Sequence, residues 1–365
     1  MELREIAPHV FAALVPDRGW SWSNAGFVAR GDGLMVDTFM DVRRTREALA
    51  LLADAGGGEP ARLVNTHHNV DHCWGNQLFR EREIIAHRRA AERMAKDLRP
   101  ALLAALVEAK EASPGLAWFA GDLRGHFDFS EVEVTLPNHL IEGDVELEVG
   151  NTTVRLLAVG PAHTAGDVLV HLPDDDVVFA GDVVFRGCTP LGWEGSFASW
   201  IAALERILGL APAVIVPGHG PLCGPEGAQE LIEYFRYVHA EARRCFDRGL
   251  SLEDAATAIE LGPYGRWNQP ERLVFNLARA YREFEGAAPD AELPATVDKL
   301  VRRLAAGPPL ALTATKRAIN AATLPQLEPA LERERTGQTI LLRTDDAAEG
   351  MRAFSEHRRP EFQGK

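Results

Sequence analysis

The chain has 365 residues, 46% hydrophobic and 25% charged, which gives room for two or three folded domains and excludes wholesale disorder. Its 39 Lys and Arg against 53 Asp and Glu leave a net charge of −14, which excludes a general nucleic-acid binder. No apolar run approaches the roughly 18 residues of a membrane span, and the opening Met1-Glu2-Leu3-Arg4-Glu5 lacks the basic-then-apolar order of a secretory signal.

In chain order, the first half alternates short strands with helices. Residues 26–30, the turn Gly31-Asp32-Gly33 and residues 34–37 read as a hairpin. Asp41 is placed to cap a helix that runs to about Asp54 and ends at Gly56-Gly57-Gly58. Residues 61–66 read as a strand running directly into His67-His68-Asn69-Val70-Asp71-His72, and Trp74-Gly75-Asn76-Gln77 as the start of a helix. A strand at 83–86 and helices across 88–112 follow. Residues 145–149 and 152–159 flank a Gly150-Asn151 turn, and strands at 168–172 and 177–180 flank Pro173-Asp174-Asp175-Asp176. A helix at 197–208 leads to a buried strand at 214–216 ending in Pro217-Gly218-His219-Gly220. Beyond Pro225 the pattern is helical, at 229–249, 252–260 and 271–285. Residues 286–291 read as a linker, and 294–358 as helical again.

Four of these strands end in side chains that suit a metal. His67, His68, Asp71 and His72 cluster after the first, and His163, Asp182 and His219 each follow another among small turn residues. Imidazole and carboxylate favour zinc or iron. One such histidine reads as a turn residue with a satisfied hydrogen bond; four such places in this order favour metal binding.

The ordered set resembles the metallo-β-lactamase-fold hydrolases, whose signature is His-x-His-x-Asp-His, a distant His, a bridging Asp and a last His. The resemblance covers about residues 1–222. It implies an α/β fold, an αββα sandwich with the metals where the sheets meet. Carried over by position, it puts His67 and His163 at a first metal site, Asp71, His72 and His219 at a second, and Asp182 between them. An Asp at the bridging position resembles the glyoxalase II-like branch. Position 69 departs from the signature: it is Asn, and an amide oxygen is a poorer zinc ligand than imidazole. Two metals with Asn69 as a weak ligand, one metal on Asp71, His72 and His219, or a different metal such as iron all remain open. The resemblance further implies metal-assisted hydrolysis, in which metal-bound hydroxide attacks a carbonyl and Asp71 orients the water.

Around this centre, Trp193 and Tyr234 are candidates for the substrate wall, with Tyr237, Tyr264 and Trp267; helix packing is the plainer reading of the tyrosines. Residues 223–286 resemble the helical extension of some branches of the superfamily. Residues 294–365, with Gly307-Pro308-Pro309, Thr315-Lys316-Arg317 and Arg358-Arg359-Pro360, resemble the end of enoyl-CoA hydratase (crotonase) proteins without their catalytic core. This stretch has 12 Lys and Arg against 9 Asp and Glu, a net +3, and leaves −17 on the remainder. Lys316, Arg317, Arg358 and Arg359 are thus candidates to pair with a nucleotide phosphate; an equal reading makes the segment a packing or dimerising cap. Cys73, Cys188, Cys223 and Cys245 form no C-x-x-C pair, which fits a reducing cytoplasm. The expectation is a cytoplasmic homo-oligomer that hydrolyses a small-molecule thioester such as an acyl-CoA with one or two zinc ions or iron, and engages neither nucleic acid nor membrane. A lactone or ester hydrolase, a cyclase or decarboxylase, and a non-catalytic binding protein are the alternatives.

Overall fold

A computed structural model describes residues 1–96, 99–108, 120–192 and 194–286. The chain divides into two units, Met1–Ala287 and Ala288–Lys365. The expectations for Trp193, Lys316, Arg317, Arg358 and Arg359, and for the helical segment 294–365, lie outside the described residues.

The first sheet has seven strands in chain order: Glu2–Ala7 (β1), Val10–Leu14 (β2), Ala25–Val28 (β3), Leu34–Val36 (β4), Arg62–Val64 (β5), Glu83–His87 (β6) and His139–Ile141 (β7). β1 to β4 pair antiparallel and β4 to β7 parallel. The second sheet holds Val145–Val149 (β8), Thr152–Ala158 (β9), Val168–Leu172 (β10), Val177–Phe185 (β11) and Val214–His219 (β12), in the order β12-β11-β10-β9-β8. Only β11 and β12 pair parallel there. Among the described residues the helices include Val42–Asp54 (α1), Val70–Cys73 (α2), Arg88–Met94 (α3), Pro100–Glu108 (α4), Phe197–Leu210 (α5), Pro225–Asp247 (α6), Leu252–Ala258 (α7) and Leu273–Gly286 (α8).

Side-chain alternation along the strands builds the layers. In β2, Val10, Ala12 and Leu14 enter the core between the sheets, where Val36 and Val64 meet Val170 and Phe179 of the opposite sheet. Phe11 and Ala13 point the other way and pack with Ala48 and Leu52 of α1. Likewise Leu169 and Val178 face Trp200 of α5, Phe235 of α6 and Leu277 of α8. The order of layers is therefore helix, sheet, sheet, helix. A strand covered on both faces has no polar side, so β2 and β4 read as unbroken apolar runs and β11 is interrupted only at Gly181-Asp182.

Most expected elements are present, including α1, whose Asp41 accepts a hydrogen bond from Arg44 N at 2.7 Å. Four points differ. The strand expected at 177–180 continues to Phe185, so Asp182 lies inside β11 rather than after it. Trp74 does not begin a helix: α2 precedes it, and a single 3-10 turn, Asn76–Phe79, follows. The hairpin of β1 and β2 was not anticipated. Nor was β7, His139–Ile141, anticipated. Residues 223–286, expected as a helical extension, hold α6, α7 and α8, of which α6 and α8 share one core with the second sheet. Among the described residues no helix is long and apolar enough to cross a membrane.

Candidate metal centre

Six side chains from five segments meet. His67 follows β5, Asp71 and His72 lie on α2, His163 lies between β9 and β10, Asp182 lies in β11 and His219 ends β12. All six are buried, and Asp71, at 8% exposure, is the most open.

Their spacing is that of ligands around common points. His163 Nε2 and His67 Nε2 lie 3.3 and 3.8 Å from Asp182 Oδ2. On the other side, His72 Nε2 and His219 Nε2 lie 3.1 and 3.4 Å from Asp182 Oδ1. His219 Nε2 is also 3.4 Å from Asp71 Oδ2, and His72 Nε2 is 3.9 Å from it. A tetrahedral ion with ligands at about 2.0–2.1 Å keeps them roughly 3.3 Å apart. Yet Nε2 of His67, His72 and His163 and Oδ1 of Asp182 make no hydrogen bond. Buried polar atoms this close and still misaligned point at a third body rather than at one another. Three groups of potential ligands result among the described residues: His67, His163 and Asp182; Asp71, His72 and His219; and Asp37 with His67 and His72. Asp182 presents one oxygen to each of the first two.

The other ring nitrogens explain why Nε2 faces inward. Thr66 Oγ1 gives its proton to Asp37 Oδ2 at 2.7 Å, so toward His67 Nδ1, 2.9 Å away, it acts as acceptor. His163 Nδ1 donates to the Leu191 carbonyl at 2.9 Å and His219 Nδ1 to the Trp22 carbonyl at 3.1 Å. His72 Nδ1 lies 3.0 Å from Asp37 Oδ2. In the neutral form of each ring these partners place the proton on the outer nitrogen and leave the inner lone pair facing the centre, the arrangement that orients a metal-binding histidine. Asp37 is therefore an orienting group; Thr66 N, Thr66 Oγ1 and His72 Nδ1 occupy its oxygens. Ser23 Oγ holds the Asp71 carbonyl at 2.6 Å. The His163 loop closes on Asp167, whose carboxylate accepts from Ala162 N, Thr164 N and Thr164 Oγ1 at 3.0, 2.9 and 2.6 Å. At Gly218 a Cβ would lie 2.0 Å from Asp182 Oδ1, so only glycine leaves room for the shared carboxylate.

Electrostatics divides the histidines. Burial opposes charge on all four. At His72 and His219 the carboxylates of Asp182 and Asp71 outweigh it, holding His72 well above its ordinary value and pushing His219 up to about 9. At His67 and His163 burial prevails, leaving His67 well below the usual range and His163 at about 4. Burial also works to raise Asp182, but the four imidazoles hold it well below the usual carboxylate range. The same carboxylates that favour a proton on His72 and His219 would favour a divalent cation in its place. The nitrogen and oxygen donor set, the inward lone pairs and the spacing all fit zinc or iron.

Asn69 is half-buried as the residue before α2, and its side chain does not cap that helix. His68 is half-buried beside it, close enough to His67 and His163 for its charge to depress both. Cys73 is buried with its thiol 3.3 Å from the His68 carbonyl, a packing position. Tyr234 is corrected: it is fully buried, packs on Trp267 and Tyr264 at ring distances of 5.0 and 5.2 Å, and meets Asn276 Nδ2 at 2.9 Å through its hydroxyl. It belongs to helix packing, not to a pocket wall. Asp37 and Thr66 escaped the sequence reading because neither stands in the ligand motif; a carboxylate directly after β4 was the available signal.

The Metallo-beta-lactamase superfamily profile matches residues 18–219. This chain belongs to that superfamily. Hydroxyacylglutathione hydrolases of Brucella ovis and Brucella abortus are each 28% identical to it over 219 residues, 59% of this chain and 65% of theirs. The match thus spans just under two thirds of the length of these relatives. Among solved structures, a metallo-beta-lactamase family protein from Thermus thermophilus superposes with a TM-score of 0.57 at 20% identity, over 78% of this chain and 96% of that one. The stereoselective inverting sec-alkylsulfatase Pisa1 from Pseudomonas sp. superposes with a TM-score of 0.57 at 18% identity, over 88% of this chain and 57% of that one. At these identities the superpositions establish the superfamily fold.

Proposed function

We propose that this chain is a metal-dependent hydrolase that cleaves thioesters. The observation that carries the reading is the Asp182 carboxylate shared by two sets of inward-facing imidazoles, within 3.1–3.8 Å of all four. The thioester class is supported by the likeness to hydroxyacylglutathione hydrolases and by aspartate at the shared position. A bound zinc or iron ion supplies Lewis acidity toward a carbonyl oxygen and brings the pKa of water near 7.

The protein residues do the rest. His67 and His163 would hold one ion and His72, His219 and Asp71 a second, with the Asp182 carboxylate available to both groups. Asp71, the most exposed of the six, can take a proton from the attacking water at its carboxylate. The water oxygen bonds to the acyl carbon, the carbon–sulfur bond breaks, and the thiolate leaves and takes up that proton. The products are a carboxylic acid and a free thiol. Coenzyme A as the carrier thiol extends the proposal; it rests on the basic composition of 294–365, with Lys316, Arg317, Arg358 and Arg359 as phosphate partners.

Metal content and a hydrolysis screen test this. Wild-type protein should carry stoichiometric metal and cleave glutathione or CoA thioesters in preference to lactones and oxygen esters. His72→Ala and His219→Ala should each lose metal from the second site and at least about 100-fold of activity. Full metal content in both variants, or faster cleavage of lactones than of any thioester, would overturn the reading.

A further inference from the structure

We propose that Asn276, on α8, is a positioning residue for His163, acting through the peptide group between Leu191 and Gly192. The inference rests on the reading of His163 as a metal ligand. His163 presents Nε2 to the centre because its Nδ1 donates to the Leu191 carbonyl at 2.9 Å. That carbonyl shares a peptide plane with the Gly192 N–H, which donates to Asn276 Oδ1 at 2.8 Å. In a trans peptide the two groups point in opposite directions, so the unit is gripped at both ends. One chain of hydrogen bonds runs from the Asn276 oxygen through the peptide to the imidazole, and each bond polarises the next.

Asn276 is itself fixed. It is fully buried, and Nδ2 donates to the Pro190 carbonyl at 3.0 Å and to the Tyr234 hydroxyl at 2.9 Å. These acceptors leave one orientation for the amide, with oxygen toward Gly192. A Cβ at Gly192 would stand 2.9 Å from that oxygen, so glycine permits the approach. The side chain is in a helix outside the ligand motif, yet only one peptide separates it from a ligand. Outer partners of this kind typically change metal affinity 10- to 100-fold.

The experiment is calorimetric titration of zinc into metal-stripped full-length protein, with thermal melting of each variant alongside. Asn276→Ala removes every contact, and Asn276→Ser keeps a hydroxyl too short to reach Gly192 N–H. Both should weaken one zinc site by about 10- to 100-fold and leave the other within about threefold. Asn276→Asp keeps an acceptor for Gly192 N–H and should restore most of the lost affinity, which a purely structural role would not produce. If Ala unfolds the protein, the Ser and Asp pair carries the comparison. Folded variants with both zinc affinities unchanged, or an equal loss at both sites, would overturn the proposal alone. Wild-type protein that takes up no zinc would overturn the metal reading and this proposal together.

Discussion

Position 69 sits where the superfamily signature has its second histidine, and the first candidate site gathers His67, His163 and Asp182. The Asn69 side chain is half-buried at the foot of α2 and does not cap that helix, so replacing it removes no cap. Asn69→His should therefore add an imidazole to the first site at little cost in stability. Zinc affinity there should rise by about tenfold or more, and the second site should not change. Titration of metal-stripped protein reads this directly; an unchanged affinity would show that position 69 faces away from the ions. The six candidate ligands were legible in the sequence because each stands at or near the end of an apolar strand run, among small turn residues or beside another histidine. Their orientation was not. Asp37, Thr66 and Leu191 act through a carboxylate, a hydroxyl and a backbone carbonyl that carry no motif. No spacing rule places Asn276 beside Gly192, 84 residues away.

Among the elements, α8 shows how a helix far along the chain frames a site built from strand ends. Arg272 just before it and Asn276, Arg279 and Glu283 on it follow spacings of four, three and four, one face of a helix. Arg272 donates to the Thr189 carbonyl at 3.3 Å and Arg279 to the Gly195 carbonyl at 2.8 Å, while Glu283 accepts from Phe197 N at 3.0 Å. The helix was expected at 271–285, but nothing in its sequence shows that this polar face meets the loop beside the site. Strand limits were harder to read. A double-sided apolar run gives no signal at its end, so β11 extended past 180 and took Asp182 into the sheet. The same strand carries Phe179, which is 2% exposed in the core between the sheets. Phe179→Ala should cost about 3–5 kcal/mol in urea unfolding. It should leave metal stoichiometry intact, since Phe179 touches neither triad through a polar group. A loss of metal with unchanged stability would reverse that assignment of roles.

At the scale of the whole molecule, charge and chemistry are divided along the chain. All six candidate ligands belong to Met1–Ala287, and residues 1–293 carry −17 against +3 for the rest. An acidic body would repel the phosphates of a nucleotide thioester, and a basic segment would offset that repulsion if it meets the substrate. A chain ending at Ala287 should therefore keep its zinc stoichiometry and hydrolyse a glutathione thioester within about threefold of the full chain. If the basic segment supplies the phosphate contacts, KM for acyl-CoA should rise by about tenfold or more with kcat little changed, because a remote contact contributes binding only to the substrate that carries the partner group. If the segment caps an interface, size-exclusion chromatography should show the shortened chain shifted toward monomer. An equal loss on both thioesters would assign the segment a structural role instead. A shortened chain with unchanged size and unchanged acyl-CoA kinetics would leave the segment neither role, and the body alone would then have to hold the whole substrate.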